Sequence, residues 1–281
     1  MIRKLLFVLI WVIAFINIQA QTDTTTRKYR LTTEGLWLSV GHSHTYDNYL
    51  SSQLYKGISF GAGMDQTRFY SADYQKISKY DGMDFHAALE ENAARNSRLI
   101  QMYYRGFYGA HYHIDLNERV QIMPGAYTDV ELGLKYLPHN GNNPVNVIGS
   151  SSFWLSARWQ HKFKIGKEPF RIIEHPSISA CGIQFSPKYT QLYYDIAYID
   201  DYDGNIVFTH FGNKLHFRND ISVDFPIGEI TRLRVGMTTE RMFYDVSNLK
   251  GRLFENALKI GIVRRSYVFK GKTPIPEFFV E

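Results

Sequence analysis

The side chains of this chain alternate between apolar and polar. From 98 to 114 the even positions carry Ile100, Met102, Tyr104, Gly106, Tyr108, Ala110, Tyr112 and Ile114, while Gln101, Arg105, His111 and His113 stand at odd positions. Successive side chains of a strand point to opposite faces, so the stretch predicts one apolar face and one wet face. From 120 to 136 the pattern sets Val120, Ile122, Ala126, Val130, Leu132, Leu134 and Tyr136 against Gln121, Asp129, Glu131 and Lys135. From 147 to 165 it sets Val147, Phe153, Leu155, Ala157, Trp159, Phe163 and Ile165 against Ser150, Ser152, Ser156, Arg158, Gln160, Lys162 and Lys164. Between 214 and 227, Leu215, Phe217, Ile221, Val223, Phe225 and Ile227 oppose Lys214, His216, Arg218, Asp220, Ser222 and Asp224.

Strand length decides what such a pattern means. Ordinary strands run to about 5–6 residues, whereas a tilted membrane strand needs about 9–11 inside the lipid. The periodicity therefore predicts an all-β, antiparallel up-and-down transmembrane β-barrel. Strands are expected at 35–44, 54–69, 83–90, 98–114, 120–136, 147–165, 171–186, 189–201, 205–211, 214–227, 231–244 and 255–269. That makes about 12, with 10 as the alternative because 83–90 and 205–211 carry the weakest pattern. The tight turns at 115–118, 166–169 and 228–229 fall on one end by parity. The longer links at 137–144 and 245–253 fall on the other.

Arg3 and Lys4 precede an apolar run from Leu5 to Ile16, and Ala20 offers a small residue for cleavage, which reads as an export signal at 1–20. A leader is expected at 21–34, the barrel at 35–271 and a tail at 272–281, where Pro274 and Pro276 break any regular strand. The mean hydropathy of −0.28 is that of a soluble chain, as alternation makes it in a barrel. Twenty Tyr and nineteen Phe supply rings for the two membrane interfaces. The single cysteine, Cys181, excludes an internal disulfide and is expected on an apolar face. The net charge of +5 is mixed along the chain rather than clustered, which argues against nucleic acid.

On these features the chain resembles a Gram-negative outer-membrane β-barrel of the small, uncharacterised, single-domain kind. The resemblance covers roughly 35–281 and rests on architecture rather than a signature motif. It implies the outer membrane as location, reached by the secretory pathway. Many such barrels end on an aromatic residue, whereas here Phe278 and Phe279 are followed by Val280 and Glu281.

Candidate chemistry is sparse. His175 and Ser177 have the His-x-Ser spacing of outer-membrane phospholipases and lipid A deacylases, in which both side chains share a strand face and the imidazole activates the hydroxyl. Pro176 and Ile178 depart from that pattern, so the pair is a weak catalytic candidate. His111 with His113, and His42 with His44, could each offer two nitrogens to a metal, with Asp129 or Glu131 as a third ligand. Solvated histidines are the commoner outcome, so neither a metal nor a cofactor is expected. Gly61 and Gly63 have no helix N-terminus to complete a phosphate loop and are expected to make room inside a narrow barrel.

The lumen is expected to be lined by Arg105, His111, His113, Asp129, Glu131, Arg158, Lys162, Arg218, Asp220, Arg232 and Arg234, with Asp224 beside them. Charges in so small an interior must pair or be hydrated. Three uses follow: an ion-paired filling, favoured because small barrels are packed with side chains, a narrow cation-lined passage for a small anionic solute, or a groove for lipid A phosphates. The expected role is thus a structural, binding or narrow-pore barrel, monomeric, with outer-membrane lipids as its partners. A lipid-modifying hydrolase and a secreted soluble β-protein are the alternatives.

Overall fold

The structure is a computed structural model and describes residues 30–70, 76–166 and 168–268. The segments 1–29 and 269–281, which hold the expected signal, most of the leader and the tail, lie outside the described residues. The strands are β1 (Arg30–Asp47), β2 (Ser51–Phe69), β3 (Ile77–Asn92), β4 (Arg98–Tyr112), β5 (Ile114–Asp115), β6 (Val120–Tyr136), β7 (Val145–Ile165), β8 (Glu168–Phe185), β9 (Ile206–His210), β10 (Lys214–Pro226), β11 (Thr231–Val246) and β12 (Leu249–Val268). Each long strand pairs antiparallel with its neighbours, and β12 closes on β1 from Arg30 opposite Val268 to Asp47 opposite Gly251. Closure satisfies every edge, so the wall can stand in hydrocarbon without orphaned backbone groups.

The closed wall has ten strands, and two corrections to the sequence reading produce that number. The expected strand at 189–201 is a loop containing a short helix, Tyr193–Tyr198. Pro187 ends the strand before it, and Tyr189, Leu192, Tyr193 and Ile196 follow a helical rather than a twofold spacing. The expected strands at 205–211 and 214–227 are one barrel strand. Both β9 and β10 pair antiparallel with β8, and between the pairs Cys181–His210 and Ile178–Phe217 three steps along β8 face seven on the other chain. Four residues are looped out there, and the intervening turn made one strand look like two.

The registers fix the tilt. Stepping across hydrogen-bonded partners from His44 leads through Phe254, Arg241, Phe217, Ile178, Leu155, Ala126, Ala110, Lys79 and Arg68 to Thr32, twelve residues below His44 on the same strand. A stagger of that size over ten strands tilts them by about 40° from the barrel axis, given a rise of ~3.3 Å and a spacing of ~4.8 Å.

Alternation sorts the faces as the sequence implies. Leu36, Leu38, Val40, Phe60, Met83, Phe85, Met102, Leu132, Phe153, Leu155, Ile183, Leu258, Ile260 and Ile262 are exposed on the outside, an apolar belt reaching around the wall. Their neighbours in sequence are buried inside and mostly polar. This is the inverse of a soluble protein and matches a barrel in lipid. A sandwich of the secreted, soluble kind would instead bury these apolar faces against each other.

The strand ends at Phe69 and Ile77, Tyr112 and Val120, Ile165 and Glu168, and Pro226 and Thr231 lie at one end, the turn end. The connections at 48–50, 93–97, 137–144, 186–205 and 247–248 lie at the other, the loop end. The expected link at 245–253 is in fact a two-residue hairpin, since Ser247 and Asn248 have φ of 54° and 62°, the pair of left-handed residues that a tight turn of matching twist requires. The loop end is capped by the packed side chains of Tyr49, Leu50, Tyr55, Leu99, Leu137 and Leu249, with Tyr193 from the long loop laid against them.

Candidate functional site: the charged lumen

The lumen is built from inward positions of the long strands. Arg105 on β4 is 3% exposed. Its Nη2 donates to Asp84 Oδ2 on β3 at 2.8 Å, and Nη1 lies 3.9 Å from Glu240 Oε2 on β11. Arg218 on β10 joins the same carboxylates, at 3.4 Å from Asp84 and 3.9 Å from Glu240, and reaches Asp220 at 3.2 Å. Lys259 on β12 donates to Asp220 at 2.7 Å and sits over the Trp37 ring at 4.3 Å. A β-carbon on Gly63 would come within 2.5 Å of the Trp37 indole, so this glycine makes the room that lets the ring lie across the lumen. Glu240 also pairs with His216 at 2.8 Å. Six strands thus meet in one network.

Nearer the turn end, Asp224 is fully buried between two guanidinium groups. It accepts Arg171 Nη2 at 2.6 Å and Nε at 3.1 Å, and Arg234 Nε at 2.7 Å and Nη2 at 3.1 Å. Arg234 also lies 3.8 Å from Asp65. Nearer the loop end, Asp47 holds Lys135 at 2.7 Å and accepts from Asn146 at 2.9 Å and Tyr244 at 3.3 Å, while His86 lies 2.6 Å from Glu255. Buried charges are stable only when paired and hydrogen-bonded, and most of those in the lumen meet that condition.

The other expected lumen residues are spread along the same interior. Asp129 accepts the Ser152 backbone N–H at 3.0 Å, and Glu131 faces the charges of Lys214 and His216. His111 and His113 hydrogen-bond Ser156 at 2.9 Å and Ser78 at 2.8 Å. Arg158 donates to Thr67 at 3.1 Å. Lys162 is exposed and Arg232 donates to the Pro169 carbonyl at 2.8 Å, both near the turn end. Cys181 is part-exposed beside Ile183 on the outer face. Among the described residues no three potential ligands converge as a metal site would need.

His175 and Ser177 are both buried and point inward from β8. The imidazole packs edge-on against Tyr80 at 5.2 Å and His111 at 5.3 Å, its Nε2 has no hydrogen-bond partner, and the Ser177 hydroxyl is engaged by Tyr127. A serine nucleophile requires its base within hydrogen-bond reach and an approach for substrate. Neither Nε2 nor the packed surroundings provide them.

The gaps found in the lumen among the described residues are small. One of about 50 Å³ lies under the cap by Glu131, Lys135, Lys214 and Glu240, and two of about 40 Å³ lie around Asp65, Tyr80, His175, Asp220 and Lys259. Each has room for a few waters. At the cap, Tyr49 Oη donates to the Gln191 carbonyl at 2.9 Å and Tyr193 Oη to Asn146 at 3.1 Å. Burial pushes the Tyr193 phenol up to about 12, so it is a neutral donor at neutral pH.

Sequence reasoning missed several members of this network: Asp47, Asp84, Arg171, Glu240, Glu255 and Lys259. Their signal was present. Extending the alternation inward from Met83 and Phe85 places Asp84 in the lumen, and from Leu258 and Ile260 it places Lys259 there.

A family model described as "Protein of unknown function (DUF3316)" matches residues 5–273. The chain belongs to this family. No curated protein matches it significantly in sequence. Among solved structures, similar folds include the outer membrane protease OmpT from Escherichia coli, at 7% identity and a TM-score of 0.45 over 88% of this chain and 99% of that one. The transport unit of the autotransporter AIDA-I from Escherichia coli gives 9% and 0.43 over 92% and 96%, and Neisserial surface protein A (NspA) gives 11% and 0.34 over 82% and 96%. At these identities the likeness concerns the barrel alone. The DUF3316 chain is a single-domain, closed antiparallel β-barrel with an apolar outer face.

Proposed function

We propose that this protein is a sealed outer-membrane barrel whose role is structural or binding, exercised at its ends and outer surface rather than through its lumen. The observation that carries the reading is the filled interior. The network from Arg105 to Lys259 joins strands across the barrel, and the gaps around it are about 40–50 Å³. A small anion entering would have to break pairs such as Arg171–Asp224 at 2.6 Å, leaving a buried charge uncompensated. The apolar cap closes the loop end as well. What remains accessible there is a polar recess of about 410 Å³ lined by Gln53, Asn92, Asn96, Ser97, His139 and Asn140, above Leu50 and Leu137.

Single-channel recording in planar bilayers tests this. The refolded protein is expected to give no steady conductance in potassium chloride. A persistent open level, altered in anion selectivity by Arg105→Gln, would replace the sealed reading with a pore.

A further inference from the structure

The apolar belt is interrupted on one wall. On β11, β12 and β1, outward positions that are apolar at Met237, Leu258 and Val40 give way toward the loop end to Arg241, Arg252, His42 and His44, and on β2 Lys56 stands between the exposed Ile58 and Leu54. The registers bring these together: Arg241 is opposite Phe254, Phe254 opposite His44, and His44 opposite Lys56. Arg252 follows one step above, opposite Phe243 and Tyr46. With the strands tilted by about 40°, Arg241 and His42 lie at nearly one height. Leu89 on the adjoining strand β3 and Leu134 on β6 reach ~6 Å higher than Arg241 and His42 by the same geometry. Arg241 and His42 therefore cut into the belt at headgroup depth, with Arg252 and Lys56 at its upper edge.

The row is held in place and is electrically uncompensated. Arg241 lies over the Phe254 ring at 5.4 Å and donates to the carbonyls of Glu240 at 2.8 Å and Glu255 at 2.6 Å and to Asn256 Oδ1 at 3.0 Å, all neutral acceptors. His42 and His44 stack edge-on at 4.7 Å, and His44 stands opposite Lys56 and, across Phe254, in line with Arg241. Of the outer carboxylates at this end, Glu91, opposite Lys56 across β2 and β3, is paired with Arg98 at 2.8 Å, and Asp245 with Lys250 at 3.6 Å. Among the described residues no ion pair involves Lys56, Arg241 or Arg252. Cations gathered on a lipid-facing wall are costly without an anion, and arginine is matched in shape and charge to phosphate. A second copy packed by twofold symmetry would set like charges together, which disfavours a homodimer at this face.

We propose that this row is a headgroup site for a phosphate-bearing anionic lipid in the leaflet at the loop end. Phe243, Phe254 and Tyr46 would flank the headgroup and the belt below would receive its acyl chains. The inference goes beyond the sealed-barrel reading and does not depend on it, because conductance and lipid retention are separate measurements.

Native mass spectrometry of the detergent-solubilised, full-length protein reads it, titrated with diphosphorylated lipid A, phosphatidylglycerol and zwitterionic phosphatidylcholine. The two anionic lipids are expected to stay bound where phosphatidylcholine does not. Lys56→Gln/Arg241→Gln/Arg252→Gln should weaken retention roughly 200-fold, from about a sixfold loss per basic group. Arg119→Gln, an exposed charge at the turn end, should leave it unchanged, and Arg241→Lys/Arg252→Lys should keep most of it. If loss of the Arg241 bonds unfolds the barrel, as heat-modifiable gel migration would reveal, Lys56→Gln/Arg252→Gln carries the test with a roughly 30-fold loss. Equal retention of phosphatidylcholine, full retention by the charge-removed variants, or displacement of the lipid by inorganic phosphate at equal concentration would each overturn the proposal.

Discussion

Replacing Asp224 by asparagine probes the lumen network at its most exactly defined point. The carboxylate is fully buried and accepts four charge-assisted hydrogen bonds, three at Oδ2 and one at Oδ1. An asparagine of the same shape would place its oxygen at the Oδ2 position and keep three of them. Its amide would then face Arg234 Nε, a donor against a donor, where the aspartate oxygen now stands at 2.7 Å. The geometric loss is one bond, so most of the cost comes from two buried guanidinium groups deprived of their anion. Breaking a buried pair costs about 3–5 kcal/mol. Asp65, 3.8 Å from Arg234, remains as partial compensation and places the expectation near the lower figure, about 3 kcal/mol. Urea unfolding in lipid vesicles, followed by tryptophan fluorescence, measures it. Asp224→Asn/Arg171→Met removes one stranded cation and should recover part of the loss. A cost below about 1 kcal/mol, or a double variant no more stable than the single one, would refute the claim that pairing holds the interior.

Two further expectations follow from the faces of the strands. Leu38, 63% exposed on the apolar belt, should cost about 2–4 kcal/mol when changed to arginine, in the same vesicle assay; a neutral outcome would place that position outside the lipid. Ser177→Ala and His175→Ala should leave phospholipid and lipid A ester hydrolysis by the purified protein at background, because Nε2 of His175 has no partner and both residues point into a packed interior; an activity abolished by either change would restore the hydrolase reading.

How much could be read from the chain alone depends on which distances matter. The alternation around Arg105, Glu131, Arg158 and Arg218 follows from the twofold period of a strand, a purely local property, and it placed those groups on the polar face before any partner was known. The closed barrel follows nearly as directly, because strands of 15–21 residues with one apolar face have no stable arrangement in lipid except closure. The strand count did not follow. The helical turn at Tyr193–Tyr198 and the looped-out residues between His210 and Phe217 are stabilised by contacts with Tyr49, Asn146 and β8, which lie far away in sequence.

The partners of each charge were equally beyond the sequence. Arg218 meets Asp84 134 positions away, and Arg171 meets Asp224 across 53. Which cation meets which anion depends on the twelve-residue stagger and the resulting tilt, and these emerge only from the pairing of all ten strands. The same holds for the basic row outside: Lys56, Arg241 and Arg252 are unremarkable singly, and the closure of β12 on β1 makes them one surface. The sequence by itself determined the two faces of the wall, because side-chain direction is set residue by residue. The tertiary structure alone decided whether the inner face forms a passage or a filling, because that depends on register and radius, which belong to the closed barrel as a whole.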